Sequence, residues 1–187
     1  RAKAMGLTPM GALELEFYLV DQERDAEGKP QPARAPMTGR RLSGTNCMSV
    51  DELDEMAPFF DAVYEGAAAL DLPMESLISE YAEGQFELTL RYRDLARAAD
   101  DIVRSKRLLR TTARRFGMEA CFMSKPFAQS SGSCMHLHLS MMDESGANIF
   151  ADPSENTLAP RMLTAIGGIR ASMADSMLIL APVLNSW

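Results

Sequence analysis

Residues 12–20 read Ala12-Leu13-Glu14-Leu15-Glu16-Phe17-Tyr18-Leu19-Val20, and residues 132–140 read Gly132-Ser133-Cys134-Met135-His136-Leu137-His138-Leu139-Ser140. Alternate side chains of an extended strand share a face. The first run therefore sets Glu14 and Glu16 on one face against Leu13, Leu15 and Phe17 on the other. The second sets His136, His138 and Ser140 opposite Met135, Leu137 and Leu139, which are expected to point into a core. The chain has only two histidines, and both fall in this one run. Two imidazoles and two acids on pleated surfaces point to a metal site; the plain alternative is a pair of half-exposed strands with solvated polar faces.

Composition sets the frame for that reading. At 187 residues, with 47% hydrophobic and 24% charged residues, the chain is long enough for one globular domain. A net charge of -7 and a pI near 4.9 argue against nucleic acid or an anionic membrane surface as partner. Cys47, Cys121 and Cys134 form neither a zinc pattern nor an even disulfide framework, which fits a reducing cytoplasm. The apolar stretches are interrupted by Gly, Pro or charge, so no membrane span is expected. The start at Arg1 and the end at Trp187 read as those of a piece of a longer protein.

Outward from the two strands, residues 21–49 lack a sustained period and read as a long loop. Ser49-Val50-Asp51-Glu52 has the form of a capping box, followed by Leu53, Met56, Phe59, Phe60, Val63 and Ala67 at helical spacing up to about Asp71. A strand run covers Leu77 to Leu90. Asp94 opens a second helix with Leu95, Ala98, Ile102, Val103, Leu109, Ala113 and Phe116 on one face, stopped by Gly117. Met118 to Met123 reads as a strand, and the region from there to Phe150 looks hairpin-like around the histidine run. A third helix is expected from about Glu155 to Leu180, with Leu158, Met162, Ala165, Ile166, Ile169, Met173 and Met177 facing the core. The pattern predicts an α+β fold, an antiparallel sheet with helices on one face.

A third acidic run, Ser79-Glu80-Tyr81-Ala82-Glu83-Gly84-Gln85-Phe86-Glu87, leaves two alternatives. Glu80 and Glu87 are an odd number of residues apart and share a face only if Gly84 hosts a bulge; Glu83, Gln85 and Glu87 form the simpler alternating set.

Five runs in one order resemble the glutamine synthetase family: Glu14 to Phe17, Glu80 to Glu87, Phe122 to Phe127, Gly132 to Ser140, and Ala181 to Trp187. The stretch Gly44 to Phe60 and the second acidic run look most like the γ-glutamylpolyamine synthetase branch. The resemblance implies the central part of a catalytic domain whose antiparallel strands line a funnel holding two divalent cations, Mg²⁺ or Mn²⁺, with ATP at one end and glutamate at the other. It places Glu16, Glu80 and Glu87 on the first metal, with Glu14 and His136 on the second beside an acid beyond Trp187. It puts His138, Ser140 and Lys125 toward ATP, and Ser131 and Gly132 beside glutamate. The implied reaction joins glutamate to ammonia or an organic amine through a γ-glutamyl phosphate. The implied whole protein is a homo-oligomer of stacked rings, with an N-terminal β-grasp domain and a C-terminal arginine-bearing segment outside residues 1–187, so this piece alone is expected to be inactive.

Ser131, Cys134 and Leu139 depart from the family pattern, where Asn, Gly and Gln are common. None of these changes removes an implied metal ligand. Cys134 reads as a small packing residue, and the basic run Arg104 to Arg115 as a solvated helix surface or a subunit contact. Two other readings compete: a non-catalytic relative serving as a binding or assembly module, and a carboxylate-bridged metal oxidoreductase. The second is weakened because the Glu-x-x-His helix spacing of such sites is absent.

Overall fold

The computed structural model describes residues 1–151 and 158–186. Its centre is β1, Thr8–Asp21, a strand of 14 residues that pairs along both edges. One edge takes β3, Gln85–Asp94, antiparallel, and β3 in turn pairs with β2, Met74–Ser79. The other edge is shared by two short strands. Residues 18–21 pair with β4, Met118–Cys121, and residues 8–15 pair with β5, Met135–Met142.

The expected hairpin between β4 and β5 is therefore not formed. Both strands are antiparallel to β1 and succeed one another along its edge, and the connection between them crosses the break at Glu16, whose N–H donates to the Cys134 carbonyl oxygen at 3.1 Å. Local alternation gives strand character but not the partner, and the length of β1 is what accommodates two partners on one edge. The single strand run expected at Leu77 to Leu90 is likewise two strands joined by a turn, with Gly84 at φ +72°. Gly84 is thus a turn residue rather than a bulge. A Cβ there would stand 2.8 Å from the Leu19 carbonyl oxygen, so both the dihedral and the close approach call for glycine.

Helices cover one face. The Ser49 hydroxyl caps α1, Val50–Glu55, by accepting from the Glu52 N–H at 3.3 Å. The chain then breaks at Met56, and α2, Ala57–Ala69, starts afresh with a proline in its first turn. That proline explains why one expected helix is two, since it lacks the N–H that would continue the first. Asp94 caps α3, Leu95–Arg115, through the N–H groups of Ala96 and Arg97. Phe59, Phe60 and Val63 of α2 and Ala98, Ile102, Leu109 and Ala113 of α3 pack with Leu13, Leu15, Phe17, Phe86, Leu88 and Leu90 of the sheet. Val103, assigned by spacing to the same stripe, is exposed. Residues 21–49 form an ordered loop that adds Ala33, Ala35 and Leu42 to this core.

The third helix is the largest correction. α4 runs Pro160–Leu180, residues 155–157 of the expected helix lying outside the described residues, and none of its residues is buried. Leu163, Ile169 and Met173 are about half exposed, and so is Leu158 just before the helix. Met135, Leu137 and Leu139 of β5, expected in a core, are also exposed. Periodicity marks an apolar face, but the elements that bury it must come from elsewhere in the fold, and α2 and α3 cover β1 to β4 while leaving β5 bare. α4 also passes by length and composition as a helix able to cross a membrane, at a mean hydropathy of 1.3. Gly167, Gly168 and Arg170 lie inside this continuous helix.

Candidate active site

Directly paired residues of antiparallel strands project to the same side. The register Glu14↔His136, Ala12↔His138 and Met10↔Ser140 on one edge of β1, with Glu16↔Glu87 and Tyr18↔Gln85 on the other, gathers the polar residues of three strands on the face opposite the helices. His136 Nδ1 lies 3.0 Å from one oxygen of Glu14 and His138 Nε2 lies 2.9 Å from the other, so a single carboxylate is held between two imidazoles. His136 Nδ1 is also 4.0 Å from Glu87 Oε2. On the other side of the break in the β1 edge, Glu16 accepts from the Cys134 N–H at 3.2 Å and the Gln85 amide at 3.3 Å.

The electrostatics register the crowding. Burial raises Glu87 above the ordinary 4.5, and Glu14, Glu80 and Glu16 raise it further, with His136 opposing. Burial raises Glu80 too, followed by the charge of Glu16, while the Tyr81 N–H and His136 oppose. Like charges at this density resist ionisation together unless a cation joins them. Two sets of donor atoms lie within 4.8 Å of one another: Glu14, Glu87 and His136; and Glu16, Cys134 and His136. Both sets combine carboxylate oxygen with the His136 imidazole, and one adds the Cys134 sulfur.

The other sequence candidates fall differently. Ser140 lies on the same face, one strand repeat beyond His138. Ser131 and Gly132 take part through their carbonyls: Tyr18 OH donates to Ser131 O at 2.6 Å, and the Gln85 amide donates to Gly132 O at 2.9 Å. Lys125 is exposed, its main chain tied to the Asn185 side chain, and it forms no ion pair with the acids among the described residues.

Three participants were missed as such. Gln85 and Tyr18, both fully buried, are the clamps that hold the loop before β5 against β1. Burial, then Glu83 and Glu16, pushes the Tyr18 hydroxyl up to about 12, so it stays a donor. The alternating Glu83, Gln85, Glu87 set carried the signal for Gln85. Cys134 is not a packing residue: it is exposed, with Sγ 3.0 Å from Glu16 Oε1 and 3.2 Å from His136 Nε2. Partial desolvation by the surrounding side chains, then the hydrogen bond to Glu16 and its charge, push the thiol up to about 12. Its strand parity with His136 and His138 was the available signal. The basic run is not wholly solvated either, since Lys106 and Arg110 lie over the Phe122 ring at 5.4 and 4.8 Å.

A helix-backed antiparallel sheet whose open face collects carboxylates and imidazoles defines a class of protein suited to holding divalent cations. Comparison makes the assignment narrower. The family described as glutamine synthetase, catalytic domain, matches residues 1–187, and the chain belongs to that family. It is 39% identical over 183 residues to gamma-glutamylputrescine synthetase PuuA of Escherichia coli (strain K12), covering 97% of this chain and 39% of that protein. It is 30% identical over 192 residues to glutamate–isopropylamine ligase of a Pseudomonas species, covering 100% of this chain and 40% of that protein. The solved structure of a GmaS/ADP complex superposes with a TM-score of 0.86 at 27% identity, over 100% of this chain and 41% of that one. The fold is also that of Plasmodium falciparum glutamine synthetase, with a TM-score of 0.83 at 20% identity, over 99% of this chain and 40% of that one. The chain thus spans about two fifths of the length of these relatives. The relatives by sequence are glutamate–ammonia and glutamate–amine ligases, which makes the family's class that of a ligase.

Proposed function

We propose that the whole protein is an ATP-dependent γ-glutamyl amide ligase. The γ-phosphoryl group of ATP passes to the side-chain carboxylate of glutamate, releasing ADP. An amine then attacks the acyl phosphate, forming the amide and releasing phosphate. The observation that supports this reading is the convergence of Glu14, Glu16, Glu87 and His136 on one sheet face, with Glu80 close enough for the charges of Glu16 and His136 to act on it, and with Glu80 and Glu87 raised above the ordinary carboxylate range by burial and by neighbouring acids. Glu16, Glu80 and Glu87 would hold one Mg²⁺ or Mn²⁺, and Glu14 and His136 a second, with a further acid supplied from outside residues 1–187. Bound there, the cations would offset charge on the transferring phosphoryl group.

The chain's own residues would do the positioning. Gln85 fixes Glu16 and the Gly132 carbonyl together, and Tyr18 fixes Ser131, so the rim beside Ser131 and Gly132, where glutamate would lie, is held rigidly. His138 and Ser140 extend the polar face toward the ATP phosphates. Lys125, exposed nearby, would reach phosphate only by side-chain movement. An organic amine is favoured over ammonia as nucleophile, on the strength of the likeness to a putrescine-using and an isopropylamine-using ligase. We place the protein in the cytoplasm on its three free cysteines, and expect a homo-oligomer with further domains completing the site.

The test is phosphate release from ATP and glutamate by the full-length protein with Mg²⁺ or Mn²⁺, comparing ammonia with small amines and polyamines. Amine-dependent turnover is expected, lowered by about 10²-fold or more in Glu16→Ala, the scale of losing a transition-state contact. A folded, cation-binding protein that turns over no amine would instead be a non-catalytic relative.

A further inference from the structure

The two nitrogens of His136 face different neighbours. Nδ1 lies 3.0 Å from Glu14 Oε2 and 4.0 Å from Glu87 Oε2, whereas Nε2 lies 3.2 Å from the Cys134 sulfur. That sulfur also stands 3.0 Å from Glu16 Oε1. Glu16, Cys134 and His136 thus bring an oxygen, a sulfur and a nitrogen donor within 4.8 Å of one another.

Each donor is oriented by a group behind it. Glu14 holds the far side of the imidazole at Nδ1, as a carboxylate behind a metal-bound histidine fixes the ring and its tautomer. Glu16 is held through Oε2 by the Cys134 N–H at 3.2 Å and by the amide of buried Gln85 at 3.3 Å. Its Oε1 is therefore the oxygen left toward the sulfur. The Glu16 N–H donates to the Cys134 carbonyl oxygen at 3.1 Å, so the main chain also ties these two residues together.

Donor chemistry and distance narrow the cation. Mg²⁺ and Ca²⁺ take oxygen ligands, whereas sulfur with imidazole and one carboxylate is a set for zinc. Zinc bonds of about 2.0–2.3 Å at tetrahedral angles place such donors about 3.3–3.6 Å apart. The sulfur's separations of 3.0 and 3.2 Å fall a few tenths of an ångström short, which small rotations of the exposed Cys134 and His136 side chains supply. A metal-bound thiol is deprotonated outright. Its S–H proton passes to solvent as the metal–sulfur bond forms, with no change of oxidation state.

We propose that Glu16, Cys134 and His136 Nε2 form a site for a soft divalent cation of the zinc kind. A neutral imidazole has one lone pair. With Nε2 bound, Nδ1 carries the proton and donates to Glu14, so His136 cannot also serve the Mg²⁺ or Mn²⁺ assigned above to Glu14 and His136. The two occupancies exclude one another, and the sulfur of Cys134 selects between them by cation type. The exclusion rests on the ligase reading; the soft site rests on the donor geometry alone.

The test is titration of the full-length protein with Co²⁺, a spectroscopic substitute for zinc, in the wild type, Cys134→Ser and Cys134→Gly. Near-ultraviolet sulfur-to-cobalt charge-transfer absorption reports the metal–sulfur bond. The wild type should show this band, and Zn²⁺ should abolish it. Both variants should lack it and bind Zn²⁺ about tenfold or more weakly, since even a supporting residue of a metal site costs that much. A wild type without the band overturns the proposal, as does a band that survives in the variants and so belongs to another thiol. Cys134 is exposed, so neither substitution disturbs the core. Electron paramagnetic resonance of free Mn²⁺ reads the exclusion: Zn²⁺ should release Mn²⁺ from the loaded wild type and not from Cys134→Ser. Wild type that binds Zn²⁺ and keeps all its Mn²⁺ overturns the exclusion. Neither readout needs turnover, so failure of the ligase reading shows separately, in phosphate release.

Discussion

The two flanks of β1 carry the same kind of sequence and meet opposite fates. On one side β3 presents Phe86, Leu88 and Leu90 to α2 and α3, and all three are buried. On the other, β5 presents Met135, Leu137 and Leu139 in the same alternation, and all three are exposed at 40% or more. Their polar faces, in contrast, meet: Glu87 from β3 and His136 from β5 come together across β1. Strand alternation therefore assigns faces on both flanks, while burial is decided by where helices dock. The candidate site owes nothing to that asymmetry, because it needs only the register.

The sharpest way to break this comparison is to make one change on both flanks. In the 187-residue chain, Leu88→Ala is expected to cost about 2–5 kcal/mol, the range for emptying a buried leucine site, read as a shift in the chemical-denaturation midpoint at constant slope. A value under about 1 kcal/mol would mean that the helices do not hold β3.

The next effect concerns the shared polar face. The folded values of Glu80 and Glu87 are raised, so the stability these groups contribute is fully present below about 4.5 and is lost as pH rises through their folded values. A bound cation should restore it. Mn²⁺ at about a hundred times its dissociation constant should stabilise by about 2.7 kcal/mol. The thermal shift should grow as pH rises above 4.5 and shrink in Glu87→Gln. A shift that grows toward acid pH would remove Glu80 and Glu87 from the cation site.

The smallest effect is on the exposed flank. Leu137, half exposed, should tolerate Leu137→Ala within about 1 kcal/mol in the same denaturation assay, as surface changes do. A cost comparable to that of Leu88→Ala would show that something covers β5.

Much of the site was legible because the signal is local. Glu14 and Glu16, and His136 and His138, share faces by the period of a strand alone, and the order of the motifs specified the family. The sequence determined strand parity and helix starts at Asp94 and Ser49. Only the tertiary structure decided that β4 and β5 share one edge of β1, that Glu80 reaches the cluster through a turn and not a bulge, and that Cys134 turns its sulfur to Glu16. It also decided that α4 lies uncovered. The reason is physical: parity and capping depend on neighbours within a few residues, whereas pairing and burial depend on groups brought together by the whole fold.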